Sequence, residues 1–374
     1  MNPLRMAATP LFSRRDFLGR TSQWSALLAA YQFLPLPALA ESLAADSRVS
    51  QAPIVDKGFA SVRKVGDGLY ATISDTSKGL QTMCNGGFLV GKDAALLIEG
   101  FVSPAGASFQ YDTLRTVSKG PIMGALDTHY HFDHTSGNAF YGANGIPIWA
   151  HAGVGKRILD SYGAMQGMDK AAFSAPLEAR VKNAKTEVAH KHAAELVATM
   201  GNIFAIANST VLAFPNRPLD PAKLPVKLDL GGLTALVETH PGHSGTDLIV
   251  RVPEQNVVYA GDLLFNHMYP VTFDDQATVS GWRSTLKTFL SYDKDTIFIP
   301  GHGQIASRND VQLFADLFDD IAAQAEKMYK SGVPVEDAVD QYAVPERFKN
   351  IAIFSWQLSI GSTISKLYSE WGAK

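Results

Sequence analysis

Four side chains of the kind that bind metal ions stand within six residues of one another. The segment reads His129-Tyr130-His131-Phe132-Asp133-His134, and it closely follows Ile122–Leu126, an apolar run that predicts a buried strand. In an extended segment, the His-x-His spacing places both imidazoles on one side. Asp133 and His134 follow at the turn into the next element. Because a histidine run on the surface belongs in a polar tract, this position after an apolar strand favours a metal site.

Three later positions repeat one pattern, in which a predicted strand leads into a glycine and then a ligand-type residue. They are Gly242-His243, Gly261-Asp262 and Gly301-His302. Glycine lets the backbone turn sharply and approach closely, so the side chain beyond it can point into a shared pocket. Binding residues at strand ends are the norm in α/β sheets. His240 competes with His243 for one of these places, but the glycine–histidine pattern favours His243.

These motifs, in this order, resemble the metallo-β-lactamase superfamily over roughly residues 58–307, and Asn85-Gly86-Gly87 before the first predicted hairpin also fits. The resemblance implies an αββα sandwich with the metals between the sheet edges. It also implies a ligand set in which His129, His131 and His243 hold one ion, Asp133, His134 and His302 hold a second, and Asp262 bridges them. Imidazole and carboxylate ligands suit two Zn²⁺ ions, with manganese or iron as alternatives. Asp133 and Asp262 are the predicted catalytic carboxylates.

Two departures from the family pattern bear on the reaction. Glu99 stands where the family usually has an aspartate that supports the metal loop. The best-studied zinc β-lactamases carry cysteine in place of Asp262 and a lysine shortly after it, whereas residues 263–267 contain no lysine. Those β-lactamases also lack the second of two consecutive ligand-type residues, which in this sequence is His134. The full ligand set is therefore more similar to the glyoxalase-II, lactonase and ester-hydrolysing branches.

The leading hypothesis is a hydrolase that attacks an ester, lactone, thioester or amide bond of a small-molecule substrate with a metal-bridging hydroxide. β-Lactamase as the main activity is one alternative. Another is an iron-dependent oxygenase that resembles the persulfide dioxygenases, and a third is a zinc-binding protein without catalysis. A flavo-diiron reductase is disfavoured because His131 stands where that branch carries a glutamate. Metal analysis separates hydrolysis on two zinc ions from oxygenation on one iron.

Several other residues receive weaker predictions. Asn266, His267, Tyr269 and Trp282 follow the bridging aspartate, where the family lines its substrate pocket, and the first three are the predicted substrate contacts. His151 is expected to be a packed or surface histidine. His190 and His192 are expected on a solvated helix face. Cys84, the single cysteine, is expected to be a buried apolar side chain, and one cysteine excludes an intrachain disulfide.

The first forty residues read as an export signal. A basic start with Arg14-Arg15-Asp16-Phe17-Leu18 leads into an apolar run and closes with Pro37-Ala38-Leu39-Ala40. The paired arginines resemble the twin-arginine signal, which implies the twin-arginine export machinery as a partner and a periplasmic location after cleavage near Ala40. Gln32, Pro35 and Pro37 interrupt the run, so a stable membrane span is not expected.

Strands that alternate with helices in both halves of the chain predict an α/β protein. We expect a linker at 41–57, a helical insert at about 153–222 that could cover the site, and a C-terminal helical extension at 308–374. The chain has 374 residues and a net charge of −3. This composition lacks the basic footprint of a nucleic-acid binder.

Overall fold

The computed structural model describes residue 43 and residues 45–372 of the chain, so the predicted export signal lies outside the described residues. Two sheets form its centre. The first has eight strands in chain order: β1 Val55–Asp56, β2 Ala60–Gly66, β3 Leu69–Ser74, β4 Gly86–Val90, β5 Ala95–Ile98, β6 Ile122–Leu126, β7 Ile148–His151 and β8 Arg217–Leu219. Strands β1–β5 pair antiparallel, and β5–β8 pair parallel.

The second sheet has five strands in the order β13-β12-β11-β10-β9. Their bounds are β9 Val226–Asp229, β10 Thr234–Thr239, β11 Leu248–Val252, β12 Val257–Phe265 and β13 Ile297–His302. The β12–β13 pair is parallel, and the others are antiparallel. All nine residues of β12 are buried, because both faces of this sheet are covered.

Helices cover the outer faces of both sheets. The α-helices are α1 Pro104–Val117, α2 Phe132–Thr135, α3 Asn138–Ala143, α4 Val154–Ile158, α5 Lys170–Asn183, α6 Glu187–Ser209, α7 Val279–Ser291, α8 Arg308–Lys330, α9 Val335–Gln341 and α10 Ser362–Glu370. Shorter helical turns are the 3₁₀ segments Pro221–Lys223, Pro253–Gln255 and Glu346–Phe348 and the π-helical segments Leu159–Gly163 and Gln357–Gly361.

Three apolar cores hold these layers together. Leu96 of the first sheet and Val250 of the second belong to a core between the sheets. Phe88 packs with α1 and α3 outside the first sheet, and Phe298 packs with α7 and α8 outside the second. The order helix–sheet–sheet–helix confirms the predicted αββα sandwich.

The structure differs from the sequence-based expectation for residues 41–57. Val49 is buried within the core between the sheets, and β1 adds a strand to the first sheet. The guanidinium of Arg48 donates hydrogen bonds to the backbone oxygens of Gln255 (2.9 Å) and Asp295 (2.6 Å). These long-range contacts leave no periodic pattern in the sequence. The sequence therefore predicts a linker where the structure has a packed segment.

The predicted helical insert contains α4, α5 and α6, but it ends in a strand. Residues 217–219 form β8, a three-residue strand at the edge of the first sheet that includes Pro218. Proline is tolerated at a sheet edge because one side of an edge strand needs no backbone donor. A strand this short carries no alternating pattern that the sequence could reveal. Within the described residues, no helix is long and apolar enough to cross a membrane.

Candidate metal centre

Seven ligand-type side chains meet where the edges of the two sheets face each other. The loop after β6 and helix α2 contribute four of them, and the other three come from the second sheet and the loop after β10. The seven are His129, His131, Asp133, His134, His243, Asp262 and His302. Six are buried, and the side chain of His302 is 18% exposed. The competing His240 lies elsewhere, with its Nε2 3.6 Å from Glu238 Oε2.

The first group consists of three imidazoles and one carboxylate oxygen. His131 Nδ1 is 3.0 Å from His129 Nε2 and 2.8 Å from His243 Nε2. Asp262 Oδ2 is 3.2 Å from His243 Nε2 and 3.7 Å from His129 Nε2. Four ligand atoms that surround one zinc at about 2.0–2.1 Å lie about 3.3 Å apart, so the spacing fits one tetrahedral ion.

The second group uses the other oxygen of the same aspartate. Asp262 Oδ1 is 3.2 Å from His134 Nε2 and 3.4 Å from His302 Nε2. Asp133 Oδ2 is 3.2 Å from His302 Nε2 and 3.6 Å from His134 Nε2. Asp262 therefore presents one oxygen to each group, which is the geometry of a bridging ligand.

The buried ligand-type atoms are arranged so that they could hold cations. His134 Nε2 and Asp262 Oδ1 are buried and have no hydrogen-bond partner. Three imidazole nitrogens converge in the first group, and a neutral imidazole has a single N–H. In His129 and His243 the other ring nitrogen hydrogen-bonds outside the group. The lone pairs would face one another without a positive ion between them. The residues therefore fit two divalent cations.

Hydrogen-bond acceptors behind the rings set which nitrogen of each imidazole is free. His243 Nδ1 donates to the backbone oxygen of Val271 at 2.9 Å. The Thr128 hydroxyl donates to Glu99 at 2.6 Å and so accepts from His129 Nδ1 at 3.1 Å. Both rings therefore turn an unprotonated Nε2 toward the centre.

Glu99 supports a third ring directly, since its Oε1 lies 3.1 Å from His134 Nδ1. Its backbone has a left-handed φ of 76°, and its side chain is almost fully buried. Glutamate at this position thus reaches the metal loop from behind, the role that the resemblance assigns to an aspartate. Its longer side chain spans both Thr128 and His134.

Asp274 was missed by the sequence analysis. Its buried carboxylate Oδ2 lies 3.6 Å from His131 Nε2, accepts a hydrogen bond from Arg157 at 2.8 Å, and also accepts from the Tyr130 hydroxyl. Burial would raise the pKa of Asp274, but His131, Tyr130 and the backbone amide of Gln276 hold it well below its usual value. The one sequence signal was an aspartate pair, Asp274-Asp275, in the loop after the strand that carries Asp262.

The electrostatics favour the metal-binding protonation state for part of the cluster only. Burial would lower the pKa of His134, His243 and His302, but nearby acidic groups raise it above its usual value. Burial, together with the nearby His134, lowers the pKa of His129 well below its usual value. Burial also lowers the pKa of His131. Burial would raise the pKa of Asp262, but the neighbouring His134 and His302 hold it well below its usual range. Neutral imidazole and ionised carboxylate are the forms that act as ligands.

Two glycines make the close approach possible. A Cβ on Gly301 would overlap Asp262 Oδ1, and a Cβ on Gly261 would lie 2.5 Å from Thr128 Oγ1. Gly261 also has a positive φ of 51°, which side chains rarely adopt. The glycine–ligand pattern in the sequence therefore reflects crowding around the centre.

A cavity of about 600 Å³ opens over the cluster. Of the three predicted substrate contacts, Asn266 and His267 line it, but Tyr269 does not. Tyr269 is fully buried, and its hydroxyl lies 3.4 Å from that of Tyr342. The prediction for Tyr269 is therefore corrected, because its side chain turns into the core. Trp282 is also buried and packs edge-on against His243.

The remaining predicted positions lie outside the cluster. His151 is half-buried at the end of β7 and accepts a hydrogen bond from Gly153 N. His190 is exposed as expected, but His192 is buried, which corrects the prediction of a solvated face. Its ring stacks on Trp356 with centroids 4.4 Å apart, because α6 packs against the C-terminal extension. Cys84 is buried, and its Sγ donates to the backbone oxygen of Asp133 at 3.0 Å.

Comparisons with known proteins agree with this arrangement. A model of the metallo-β-lactamase superfamily matches residues 80–302. Uncharacterised proteins of Mycobacterium tuberculosis and Mycobacterium bovis are each 34% identical over 85 residues, which cover 21% of this chain. The match spans 37% of the length of these curated relatives.

Solved structures share the fold at low sequence identity. A stereoselective inverting sec-alkylsulfatase from a Pseudomonas species superposes with a TM-score of 0.56 at 15% identity, over 84% of this chain and 50% of its own. A metallo-β-lactamase from Pontibacter korlensis superposes with a TM-score of 0.47 at 13% identity, over 72% of this chain and 98% of its own.

Proposed function

The chain belongs to the metallo-β-lactamase superfamily, and from this premise we propose that it is a hydrolase with two bound divalent metal ions, zinc in the first place. The bond cleaved is a carbonyl ester, lactone, thioester or amide. The observation that carries the proposal is the position of Asp262, whose two oxygens each face one buried ligand group. Members of this superfamily are mostly hydrolases that bind divalent metals.

The chemistry divides between the ions and the side chains. Bound at this centre, two such ions would lower the pKa of a shared water to about 7 and polarise the carbonyl oxygen under attack. Asp262 contributes one carboxylate oxygen to each ligand group and so sets the distance between the two groups. Asp133 lines the cavity, where its carboxylate orients the attacking water and accepts its proton. Glu99 and Asp274 hold His134 and His131 in their orientations from behind.

The cavity lining favours a substrate other than a β-lactam drug. The zinc β-lactamases use a lysine shortly after the bridging position to hold the drug's carboxylate, whereas Asn266 and His267 line the cavity after Asp262 here. Among the described residues that line the cavity, Lys349 is the one lysine or arginine, and it is ion-paired with Glu346. A neutral ester, lactone or thioester therefore fits better than an anionic lactam.

Metal content and turnover test this proposal together. Metal analysis of the purified protein should find two zinc ions per chain, and chelator should abolish hydrolysis of at least one substrate in a panel of aryl esters, lactones, thioesters and a chromogenic cephalosporin. We expect kcat/KM of about 10⁴ M⁻¹s⁻¹ or more for the preferred class. One iron per chain with oxygen consumption, or no turnover with both metals bound, would overturn it.

Single substitutions test which residues of the cluster bind metal and support turnover. His302→Ala and Asp133→Ala should each lose one of the two metal ions and most of the turnover, because both side chains belong to the second group. The matched control is His151→Ala, a half-buried histidine outside the cluster, which should keep both ions. Wild-type turnover in His302→Ala or Asp133→Ala would remove that residue from the mechanism.

We further propose that residues 1–40 direct export through the twin-arginine machinery to the periplasm. The support is the sequence pattern alone, with Arg14-Arg15 ahead of an apolar run and a small-residue ending. Replacement of both arginines by lysine should leave uncleaved protein in the cytoplasm, as measured by cell fractionation. Arg5→Lys, outside the pair, is the control and should be exported. Normal export of the double variant would overturn the proposal.

A further inference from the structure

We propose that the cavity over the metal centre binds the substrate through a neutral, apolar acyl or alkyl group, and that Phe273 and Ile203 determine specificity for the length of that group. The inference rests on the proposed hydrolase function and names its substrate class. The cavity of about 600 Å³ is of the size that takes a small-molecule ligand. His131, Asp262 and His302 line it, so a group bound there stays in contact with the reacting centre.

Phe273 is the clearest sign of an apolar ligand. Its ring stacks on that of His131, with centroids 5.1 Å apart and planes at 19°, and yet it remains 38% exposed. When an apolar group covers an exposed phenyl ring, apolar surface leaves water and the free energy of the complex falls. An apolar substituent on a bond held at the centre would lie against this ring.

The rest of the apolar wall comes from distant parts of the chain. Ile203 projects from α6, Met83 precedes β4, and Met268 and Val271 belong to the loop after β12. These side chains are aliphatic or thioether groups, which offer contact area without hydrogen bonds. They favour a flexible hydrocarbon group over a polar one.

The charged residues of the cavity lining also favour a neutral substituent. Lys349, the one lysine or arginine among the described lining residues, forms an ion pair with Glu346, and its side chain is 57% exposed. An anionic substituent would have to compete with Glu346 for a solvated ammonium group, which yields little binding energy. A neutral substituent avoids this competition.

The wall is held in place before any substrate arrives. Residues 268 and 352 form a parallel β-bridge, and Tyr269 N donates to the backbone oxygen of Ala352 at 2.8 Å. Thr272 N donates to the backbone oxygen of Leu358 at 3.1 Å. The C-terminal extension thus fixes the loop that carries Met268, Val271 and Phe273. A fixed wall discriminates chain length better than a mobile one, because little ordering entropy is lost on binding.

A chain-length series tests the inference. Hydrolysis of p-nitrophenyl octanoate and p-nitrophenyl acetate is measured with the zinc-loaded protein. Each buried methylene is worth about fourfold in affinity, so kcat/KM should be at least about 100-fold higher for the octanoate. In Phe273→Ala and in Ile203→Ala the octanoate-to-acetate ratio should fall about tenfold. The control Phe214→Ala changes a 45% exposed phenylalanine outside the cavity lining and should keep the wild-type ratio.

A binding measurement separates this inference from the proposed function. Calorimetry with 1-octanol should show saturable binding to the wild-type protein with a negative heat-capacity change, and weaker binding to Phe273→Ala. Ester turnover with an octanoate-to-acetate ratio near one would overturn the inference and leave the hydrolase proposal standing. No ester turnover would count against ester hydrolysis, and octanol binding would then decide on the apolar subsite. The inference of an apolar subsite would be overturned if octanol did not bind, or if it bound the wild-type protein and Phe273→Ala equally well.

Discussion

Each of the three imidazoles that follow β6 is oriented by a group outside the seven-residue cluster. His129 and His134 are held through Thr128 and Glu99, and the carboxylate of Asp274 faces His131. Such outer contacts fix the ring orientation and the tautomer. The buried carboxylates behind the rings thus face their outer nitrogens, and the inner nitrogens face the centre on which the proposed chemistry depends.

The Asp274→Asn variant tests this positioning role. It keeps the size of the side chain but removes the charge opposite His131 Nε2, so affinity for the ion in the first group should fall about 10–100-fold. Competition with a chromogenic chelator measures this affinity site by site, and the second group should be unaffected. Asp275→Asn is the matched control, since Asp275 also pairs with Arg157 but is 71% exposed. Equal loss at both metal sites would indicate general destabilisation instead.

At this scale, the sequence predicted which residues would meet, because glycine–ligand motifs after apolar strands mark side chains at a sheet edge. Their role as metal ligands stays a prediction until metal is measured. The sequence could not predict that Asp274 lies near His131, since 143 positions separate them and no motif joins them. The prediction for Tyr269 was wrong for a related reason. An irregular loop has no sequence periodicity that indicates which side chains face the cavity.

At the scale of elements, charge pairing across the second sheet stabilises the strand that leads to His243. Glu238 on β10 accepts a hydrogen bond from Arg251 on β11 at 2.8 Å, across a diagonal of the antiparallel pair. Burial would raise the pKa of Glu238, but His240 and Arg251 outweigh it and lower the pKa to about 2. A carboxyl whose pKa is lower in the folded state stabilises the fold above its unfolded pKa of 4.5.

The Glu238→Gln variant should therefore be less stable at neutral pH. With solvent screening considered, we expect a loss of about 1 kcal/mol in the free energy of unfolding at pH 7. The difference from wild type should shrink as the pH falls from about 4.5 towards 2, because the carboxyl of the wild type is then protonated. Urea unfolding of the chelator-treated protein between pH 7 and 3 measures it. The control Asp67→Asn alters an exposed pair with Lys64 and should have no measurable effect. A constant difference across this range would indicate packing as the cause.

The elements themselves were predicted well where the pattern was long or strongly apolar. The strand Ile122–Leu126 is as expected, and the first predicted hairpin forms between β4 and β5. The contribution of residues 349–354 to the cavity could not be predicted, since helical periodicity shows that a segment packs but not against which surface. For the same reason the stack of His192 on Trp356 had no sequence signal.

For the molecule as a whole, the candidate metal centre joins the two sheets. Four ligand-type residues lie after β6 of the first sheet, and His302 and Asp262 lie on strands of the second. Each of the two ligand groups draws on both sheets, so bound metal would couple their edges. An ion that binds the folded chain at a thousand times its Kd adds about 4 kcal/mol of stability.

Removal of metal should therefore lower the melting temperature of the whole protein by at least about 5 °C, since about 1 kcal/mol moves Tm by a few degrees in a chain of this size class. Differential scanning fluorimetry with and without chelator measures the shift, and added zinc should restore it. In Asp262→Asn, which weakens both sites, chelator should shift Tm much less. An unchanged melting temperature, after metal analysis has shown that both ions are gone, would mean that the sheets hold together without the centre. The ligand cluster would then contribute to catalysis alone.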